Sequence, residues 1–226
     1  MTDRRRWVID TSAYTHLSRA GHGDLIAQLA PGGVVLVPAE VNAEIENGRL
    51  GHFGIPAVAD AAWAELATLS EEEAWTMLLV KAQFGGDPSQ HLGECAVIAC
   101  AYHRNLMAVI DEREAIAQAD ALNVPSIDTL WIVIEAYKTI FDLDRGRAVQ
   151  VVDDLLDTGM YLPVSSGESV FSWAFELPVP SSTLGDALIT PADCGCAPPG
   201  NARSPCRSWR RRRPGQGRGW RSGRPW

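Results

Sequence analysis

The sequence predicts an α/β fold, a three-layer α/β/α sandwich with a central parallel sheet. Short apolar runs rich in β-branched residues alternate along the chain with segments of helical spacing. Two of these runs, residues 34–37 (VVLV) and 106–110 (LMAVI), contain no polar position, which is typical of strands that are covered on both faces. Strands that alternate with helices form parallel sheets flanked by helices.

The first half of the chain predicts two strands and four helices. Asp10, Thr11 and Ser12 follow the first strand, and their side chains suit the cap of a helix that runs through Leu17. In order, the sequence predicts a strand over 7–9 (WVI), that helix, a strand over 34–37, a helix after Pro38 with Val41 and Ile45 on one face, a helix over 57–69, and a helix opened by the capping box at 70–73 (SEEE) and running through Lys81.

The second half continues the alternation and then loses it. The predicted elements are a buried helix from Gly93 to Arg104, strands over 106–110 and 124–127, and helices over 112–121, 128–140 and 144–157. Residues 170–175 (VFSWAF) fit either a terminal strand or a short helix.

Charge divides the chain into two parts. Overall, 46% of residues are hydrophobic and 21% are charged, enough apolar surface for a core. Residues 1–190 hold 11 Lys and Arg against 27 Asp and Glu, whereas residues 191–226 hold nine Arg against Asp193 alone. We therefore expect a domain over residues 1–165, an irregular extension over 166–190 and a disordered tail over 191–226.

The tail leaves two interpretations open. Its Arg run, with Trp209 and Trp220, suits single-stranded RNA, but such an abrupt change of composition is also typical of a shifted or read-through frame in a GC-rich gene, which we favour. Cys194, Cys196 and Cys206 lie there without an obvious fourth ligand for zinc.

Membrane insertion and secretion are not expected. The longest uncharged apolar stretch, residues 25–39, is interrupted by PGG and is shorter than the roughly 20 residues of a spanning helix. The basic start is followed by only three apolar residues before Asp10, too few for a signal peptide. We expect a cytoplasmic protein.

Four carboxylates lie near the ends of predicted strands or at the starts of helices. Asp10 and Asp111 each terminate an apolar run, Glu44 lies about one turn inside the helix after the second strand, and Glu94 lies in the first turn of a later helix. Ligands of open parallel sheets bind beyond the carboxyl ends of the strands, so these acids are candidates for one site.

Clustered carboxylates repel one another and need a cation. Oxygen ligands without His or Cys favour Mg²⁺ or Mn²⁺, and Mg²⁺ held by a few carboxylates keeps waters that can attack a phosphodiester. The five histidines are scattered without ligand spacing. The alternative is structural: Asp10 and Asp128 cap helices, Glu94 balances a helix dipole and Glu44 is solvated.

The four segments that carry these acids resemble, in the same order along the chain, the motifs of PIN-domain proteins. Residues 8–12 (VIDTS), 37–45 (VPAEVNAEI), 93–99 (GECAVIA) and 109–113 (VIDER) carry the resemblance, which covers about residues 7–165 and is nearest to the toxin-related VapC type with a Gly-Glu-Ala third motif. The resemblance implies a metal-dependent ribonuclease site on Asp10, Glu44, Glu94 and Asp111 that takes Mg²⁺ or Mn²⁺.

Further roles follow from the same resemblance. The fourth motif reads Asp-Glu-Arg where relatives commonly have Asp-Asp-Arg, which makes Glu112 a candidate accessory ligand. Thr11 or Ser12 either orients Asp10 or a bound water, or caps the first helix. The implied partners are an RNA substrate and a cognate antitoxin, with a homodimer left open.

Two other functions stay open beside the ribonuclease. One is a catalytically silent PIN-like module that binds proteins, for instance through residues 57–84 with Trp63 and Trp75. The weaker one is a different metal-dependent phosphohydrolase, although residues 10–12 lack the second Asp that haloacid-dehalogenase-like enzymes carry two positions after the first.

Overall fold

A single parallel sheet forms the centre of the protein. The computed structural model describes residues 5–176. Within them, five strands pair in the order β3-β2-β1-β4-β5, and every pair is parallel. The strands are β1 (Trp7–Ile9), β2 (Val35–Pro38), β3 (Ala64–Ala67), β4 (Met107–Val109) and β5 (Ser126–Ile127).

Two groups of helices cover this sheet, and the predicted α/β/α architecture is confirmed. The helices of the described residues are α1 (Thr11–Arg19), α2 (Asp24–Leu29), α3 (Ala39–Arg49), α4 (Glu71–Phe84), α5 (Leu92–Arg104), α6 (Arg113–Ala121), α7 (Thr129–Thr139), α8 (Arg145–Asp157) and α9 (Ser169–Glu176). Helices α3, α4 and α6 pack against α5, whereas α2 and α8 pack against α7. No helix within residues 5–176 has the length and apolarity needed to cross a bilayer.

Strand β1 is the middle strand and is buried along its whole length. Trp7, Val8 and Ile9 are at most 4% exposed, because helices cover both faces of the sheet. Val8 lies opposite Leu36 of β2 on one side and Ala108 of β4 on the other. The continuous apolar run that predicted this strand is therefore explained by burial on both faces.

Helix α5 is the most deeply buried helix in this part of the chain. Its residues 95–101 are at most 1% exposed and include three alanines, whose small side chains let the helix lie close to its neighbours. Cys95 and Cys100 on this helix are free thiols.

The predicted capping box at the start of α4 is confirmed. The Ser70 hydroxyl accepts a hydrogen bond from the Glu73 N–H, and the Glu73 carboxylate accepts one from the Ser70 N–H. The same carboxylate accepts two further hydrogen bonds from Arg104, at 2.6 and 2.8 Å, and this ion pair ties α4 to the end of α5.

The helix predicted over residues 57–69 is wrong. A 3-10 turn spans Val58–Asp60, and Ala64–Ala67 forms the edge strand β3. The apolar spacing that suggested a helix is supplied by Val58 and Ala61, which are buried in the turn, while Leu66 is 54% exposed on the strand. Backbone pairing with β2, rather than an apolar pattern, defines this edge strand.

Two short helices of the described residues do not follow from the sequence patterns. Helix α2 has only six residues and was not predicted. The segment left open between strand and helix is helix α9, with Val170 and Phe171 buried. Residues 177–190 of the predicted extension, and the predictions for the tail and its cysteines, lie outside the described residues.

Candidate metal centre

The site lies where the order in which the chain adds strands to the sheet reverses. The chain builds β2 and β3 on one side of β1 and then returns to place β4 and β5 on the other. The crevice beyond the carboxyl ends of β1 and β4 is therefore the topological switch point, where ligands of open α/β sheets bind. Asp10 follows β1 directly, and Asp111 comes two residues after the end of β4.

Asp10 is a buried carboxylate with two structural ties. It is 2% exposed, and its Oδ1 accepts a hydrogen bond of 2.8 Å from the Ala13 N–H, so Asp10 caps α1. Burial raises its pKa well above the usual value, and repulsion from Asp111 and Glu94 raises it further against the opposing backbone hydrogen bonds. The helix cap and the acidic cluster are thus two roles of one side chain.

Asp111 is held in place by the residue that begins α7. The Thr129 N–H and hydroxyl donate hydrogen bonds of 2.8 Å to the two carboxylate oxygens of Asp111. The pKa of Asp111 is raised to about 6, because burial and the neighbouring Asp128 raise it more than the two Thr129 hydrogen bonds lower it. Asp128 itself caps α7 by accepting a hydrogen bond from the Trp131 N–H, as expected.

Thr129 is a site residue that the sequence reasoning missed. It is fully buried, and its side chain orients the Asp111 carboxylate. The available signal was positional: β5 pairs with β4, so the residue that opens the helix after β5 lies at the same edge of the sheet as Asp111.

Glu44 is fixed by donors from two other helices. The Thr11 hydroxyl donates a short hydrogen bond to Glu44 Oε2, and the Gly93 N–H donates to Oε1 at 3.0 Å. Thr11 therefore contacts Glu44 rather than Asp10. Within residues 5–176, the Ser12 side chain makes no hydrogen bond, and its role stays a prediction.

Gly93 is required by the position of Glu44. A Cβ at residue 93 would lie 2.5 Å from Glu44 Oε2 and 3.0 Å from Glu44 Cδ. Since the obstructed group is the end of a flexible side chain, an alanine would displace the carboxylate rather than break the fold.

We expect Gly93→Ala to weaken divalent-ion binding by tenfold or more, about the effect of losing a ligand-orienting contact. The thermal stability of the variant should be unchanged or slightly higher, because alanine has a higher helix propensity than glycine. Titration calorimetry and melting curves measure the two effects. Gly48→Ala on α3, where a Cβ meets nothing within 4 Å, is the control. Equal ion affinity in the two variants would contradict this account of Gly93.

Glu94 interacts electrostatically with two of the other predicted acids, Glu44 and Asp10. It lies in the first turn of α5 and is half-buried. Burial raises its pKa, and repulsion from Glu44 and Glu112 contributes. Repulsion therefore links the four predicted acids in pairs: Glu44 with Glu94, Glu94 with Asp10, and Asp10 with Asp111. No three of these four acids have donor atoms within 4.8 Å of one another among the described residues.

His91 belongs to the site, and the expectation that no histidine has ligand spacing is wrong. Its Nδ1 lies 3.1 Å from Glu112 Oε2 and 3.7 Å from Glu94 Oε1. Among the described residues, His91, Glu94 and Glu112 form the group whose donor atoms all lie within 4.8 Å of one another. The overlooked signal was the spacing of three residues between His91 and Glu94 at the start of α5.

The donor set suits a divalent cation. None of the four predicted acids forms an ion pair with a Lys or Arg of residues 5–176. Buried or half-buried carboxylates that repel one another, with no Lys or Arg to compensate their charge, are stabilised by a bound cation. Asp10, Glu44, Glu94 and Asp111 offer oxygen ligands, and Glu112 lies beside Glu94.

The raised pKa of Asp111 predicts how stability depends on pH without metal. A carboxyl whose pKa is higher in the folded state stabilises the fold below its unfolded pKa, and that contribution is lost as pH rises through the folded value. In EDTA, the free energy of unfolding of the native protein should fall relative to that of Asp111→Asn between about pH 4 and pH 7, by up to about 3 kcal/mol.

Urea unfolding of both proteins across this pH range measures the difference. Asp111→Asn also removes a repulsion that raises the pKa of Asp10, and this change enlarges the difference between the two proteins in the same direction. A difference that does not change with pH would show that Asp111 is not held at a raised pKa.

The comparisons with known proteins agree with this architecture. A family model described as a PIN domain matches residues 6–174. The match begins one residue before β1 and ends within α9, so it includes all five strands and the four acids. No curated protein matches the chain, and neither does any solved structure.

Proposed function

The chain belongs to the PIN-domain family, and we propose that it is a metal-dependent endoribonuclease, the toxin of a type II toxin–antitoxin pair. The observation that carries this proposal is the set of acids at the switch point of the sheet, where Asp10 and Asp111 meet and no Lys or Arg of residues 5–176 pairs with them. We propose the cytoplasm as its location, because RNA and a protein antitoxin are both met there.

The chain's own residues orient and charge the site. Ala13 N–H holds Asp10, Thr129 holds Asp111, and Thr11 with Gly93 N–H holds Glu44, so the carboxylates are fixed before any ion binds. A bound Mg²⁺ or Mn²⁺ would supply a Lewis acid that activates water and neutralises charge that develops on the phosphate. Fixed ligands lower the cost of reorganisation during the reaction.

RNA must approach an acidic domain. Among the basic residues of this domain, Arg104 is paired with Glu73 and Arg145 with Glu168. Arg113 is exposed at the first position of α6, two residues after Asp111, and makes no ion pair within the described residues. It is therefore the basic side chain that we propose to contact a phosphate beside the site, with modest affinity at physiological salt.

An exposed apolar face supports a protein partner. Trp75, Leu78 and Leu79 lie on one face of α4 and are 63%, 52% and 65% exposed. Exposed apolar patches of this kind mark protein contacts, and we propose the cognate antitoxin as the occupant. Trp63, the other tryptophan of the predicted partner region, instead packs against Tyr14 with ring centroids 4.8 Å apart.

The same exposed face favours the alternative function, a silent protein-binding module. The ribonuclease cuts RNA, whereas the silent module leaves it intact. We expect the purified protein to cut a circularised RNA pool of random sequence with Mg²⁺ or Mn²⁺, since only an endonuclease opens a circle. EDTA and Asp111→Asn should each abolish cleavage. Intact circles in millimolar Mn²⁺, with a protein that is folded, would favour the silent module.

A further inference from the structure

The closest set of ligand atoms in the site includes a nitrogen. His91 Nδ1 faces Glu112 Oε2 at 3.1 Å and Glu94 Oε1 at 3.7 Å, and one donor atom of each residue lies within 4.8 Å of the others. Ligand atoms that share an ion at about 2.1 Å lie roughly 3 to 4 Å apart. The three side chains therefore already have nearly the spacing of ligands.

The imidazole ring of His91 is held in this position by Phe84. His91 has a positive φ of 59° immediately before α5, and its ring stacks on Phe84, with centroids 5.1 Å apart and an angle of 15° between the planes. This stacking fixes the ring plane so that Nδ1 points at the carboxylates. The three side chains are 22% to 40% exposed, so an ion has access from solvent.

The chemistry of the set distinguishes it from the four acids. Imidazole nitrogen is a good ligand for first-row transition metals and a poor one for Mg²⁺, which prefers oxygen. Glu94 belongs to both sets, so an ion at His91 would lie at the entrance of the acidic site.

We propose that His91, Glu94 and Glu112 bind a divalent transition-metal ion, and that His91 makes the site prefer Mn²⁺ to Mg²⁺. This inference rests on the proposed function, because it assigns a metal preference to the same site. It extends the predicted ligand set by one nitrogen that belongs to none of the four acidic motifs.

The test is the nitrogen signal of bound Mn²⁺. Pulsed electron paramagnetic resonance of the full chain with one equivalent of Mn²⁺ should show the ¹⁴N coupling of a coordinated imidazole. His91→Asn should lose this coupling and weaken Mn²⁺ binding about tenfold or more, while Mg²⁺ binding changes much less. Asparagine tolerates the positive φ of residue 91, so the variant should fold. Melting in EDTA checks this.

Two further variants complete the experiment. His91→Asp supplies oxygen in place of nitrogen, and it should lose the coupling but keep ion binding with the preference moved toward Mg²⁺. His103→Gln removes an exposed histidine of the same helix, which bonds Thr76, and should retain the coupling.

Bound Mn²⁺ without nitrogen coupling, and an unchanged Mn²⁺ to Mg²⁺ affinity ratio in His91→Asn, would overturn the inference. His91 would then be only an ion-pair partner of the two glutamates, and the proposed ribonuclease would stand. Absence of any divalent-ion binding by the native protein would overturn both.

Discussion

Replacing Asp10 by asparagine should abolish RNA cleavage without loss of metal-free stability. Asp10 is buried beside Asp111 and Glu94, and its pKa is raised, so its negative charge opposes folding when no ion is bound. The asparagine oxygen can still accept the Ala13 N–H, since asparagine caps helices as well as aspartate does. The melting temperature in EDTA should therefore be equal or higher, while activity falls at least about a hundredfold.

Asp10→Ala is the matched variant that separates the two roles of this side chain. It removes both the charge and the helix cap, and the lost cap should cost about 0.5–2 kcal/mol relative to Asp10→Asn. If Asp10→Asn spared cleavage but destabilised the metal-free protein, Asp10 would be a structural cap alone.

Divalent ions should stabilise the native protein strongly. An ion that binds only the folded state adds about 2.7 kcal/mol at a hundredfold excess over its dissociation constant. For a chain of this size, that corresponds to a rise of roughly 5 to 10 °C in melting temperature. Glu94→Gln or Asp111→Asn should remove most of the rise, because ligands that share one ion weaken the whole site when one is lost.

Two neighbouring substitutions serve as controls for this effect. Glu112→Gln should reduce the rise with Mg²⁺ by less than Glu94→Gln does, as suits an accessory ligand. Glu114→Gln makes the same change of charge on the exposed face of α6 and should leave the rise intact. If millimolar Mg²⁺ and Mn²⁺ do not change the melting temperature of the native protein, the silent module is favoured. The assignment of the fold would still stand.

The central part of the fold was predictable because strands that are buried on both faces need continuous apolar sequences. Strands β1, β2 and β4 are covered on both faces, so they appear as apolar runs, and Asp10 and Asp111 mark where two of these runs end. The capping box at Ser70 was predictable for a local reason, since its two hydrogen bonds join residues three apart.

The missed features depend on contacts between distant segments. Strand β3 is an edge strand with half-exposed side chains, and its pairing with β2 has no signature in its own residues. Thr129 reaches Asp111 from 18 residues away only because β5 lies beside β4. His91 joins Glu112 because α5 and α6 pack together, which spacing along the chain does not reveal.

The position of bound Mn²⁺ in crystals tests the central claim most directly. Anomalous scattering from crystals soaked in Mn²⁺ should locate an ion within about 2–2.5 Å of carboxylate oxygens of Asp10 and Asp111, beyond the ends of β1 and β4. No anomalous peak at Asp10 and Asp111 at saturating Mn²⁺, with or without an ion at His91, Glu94 and Glu112, would contradict the account.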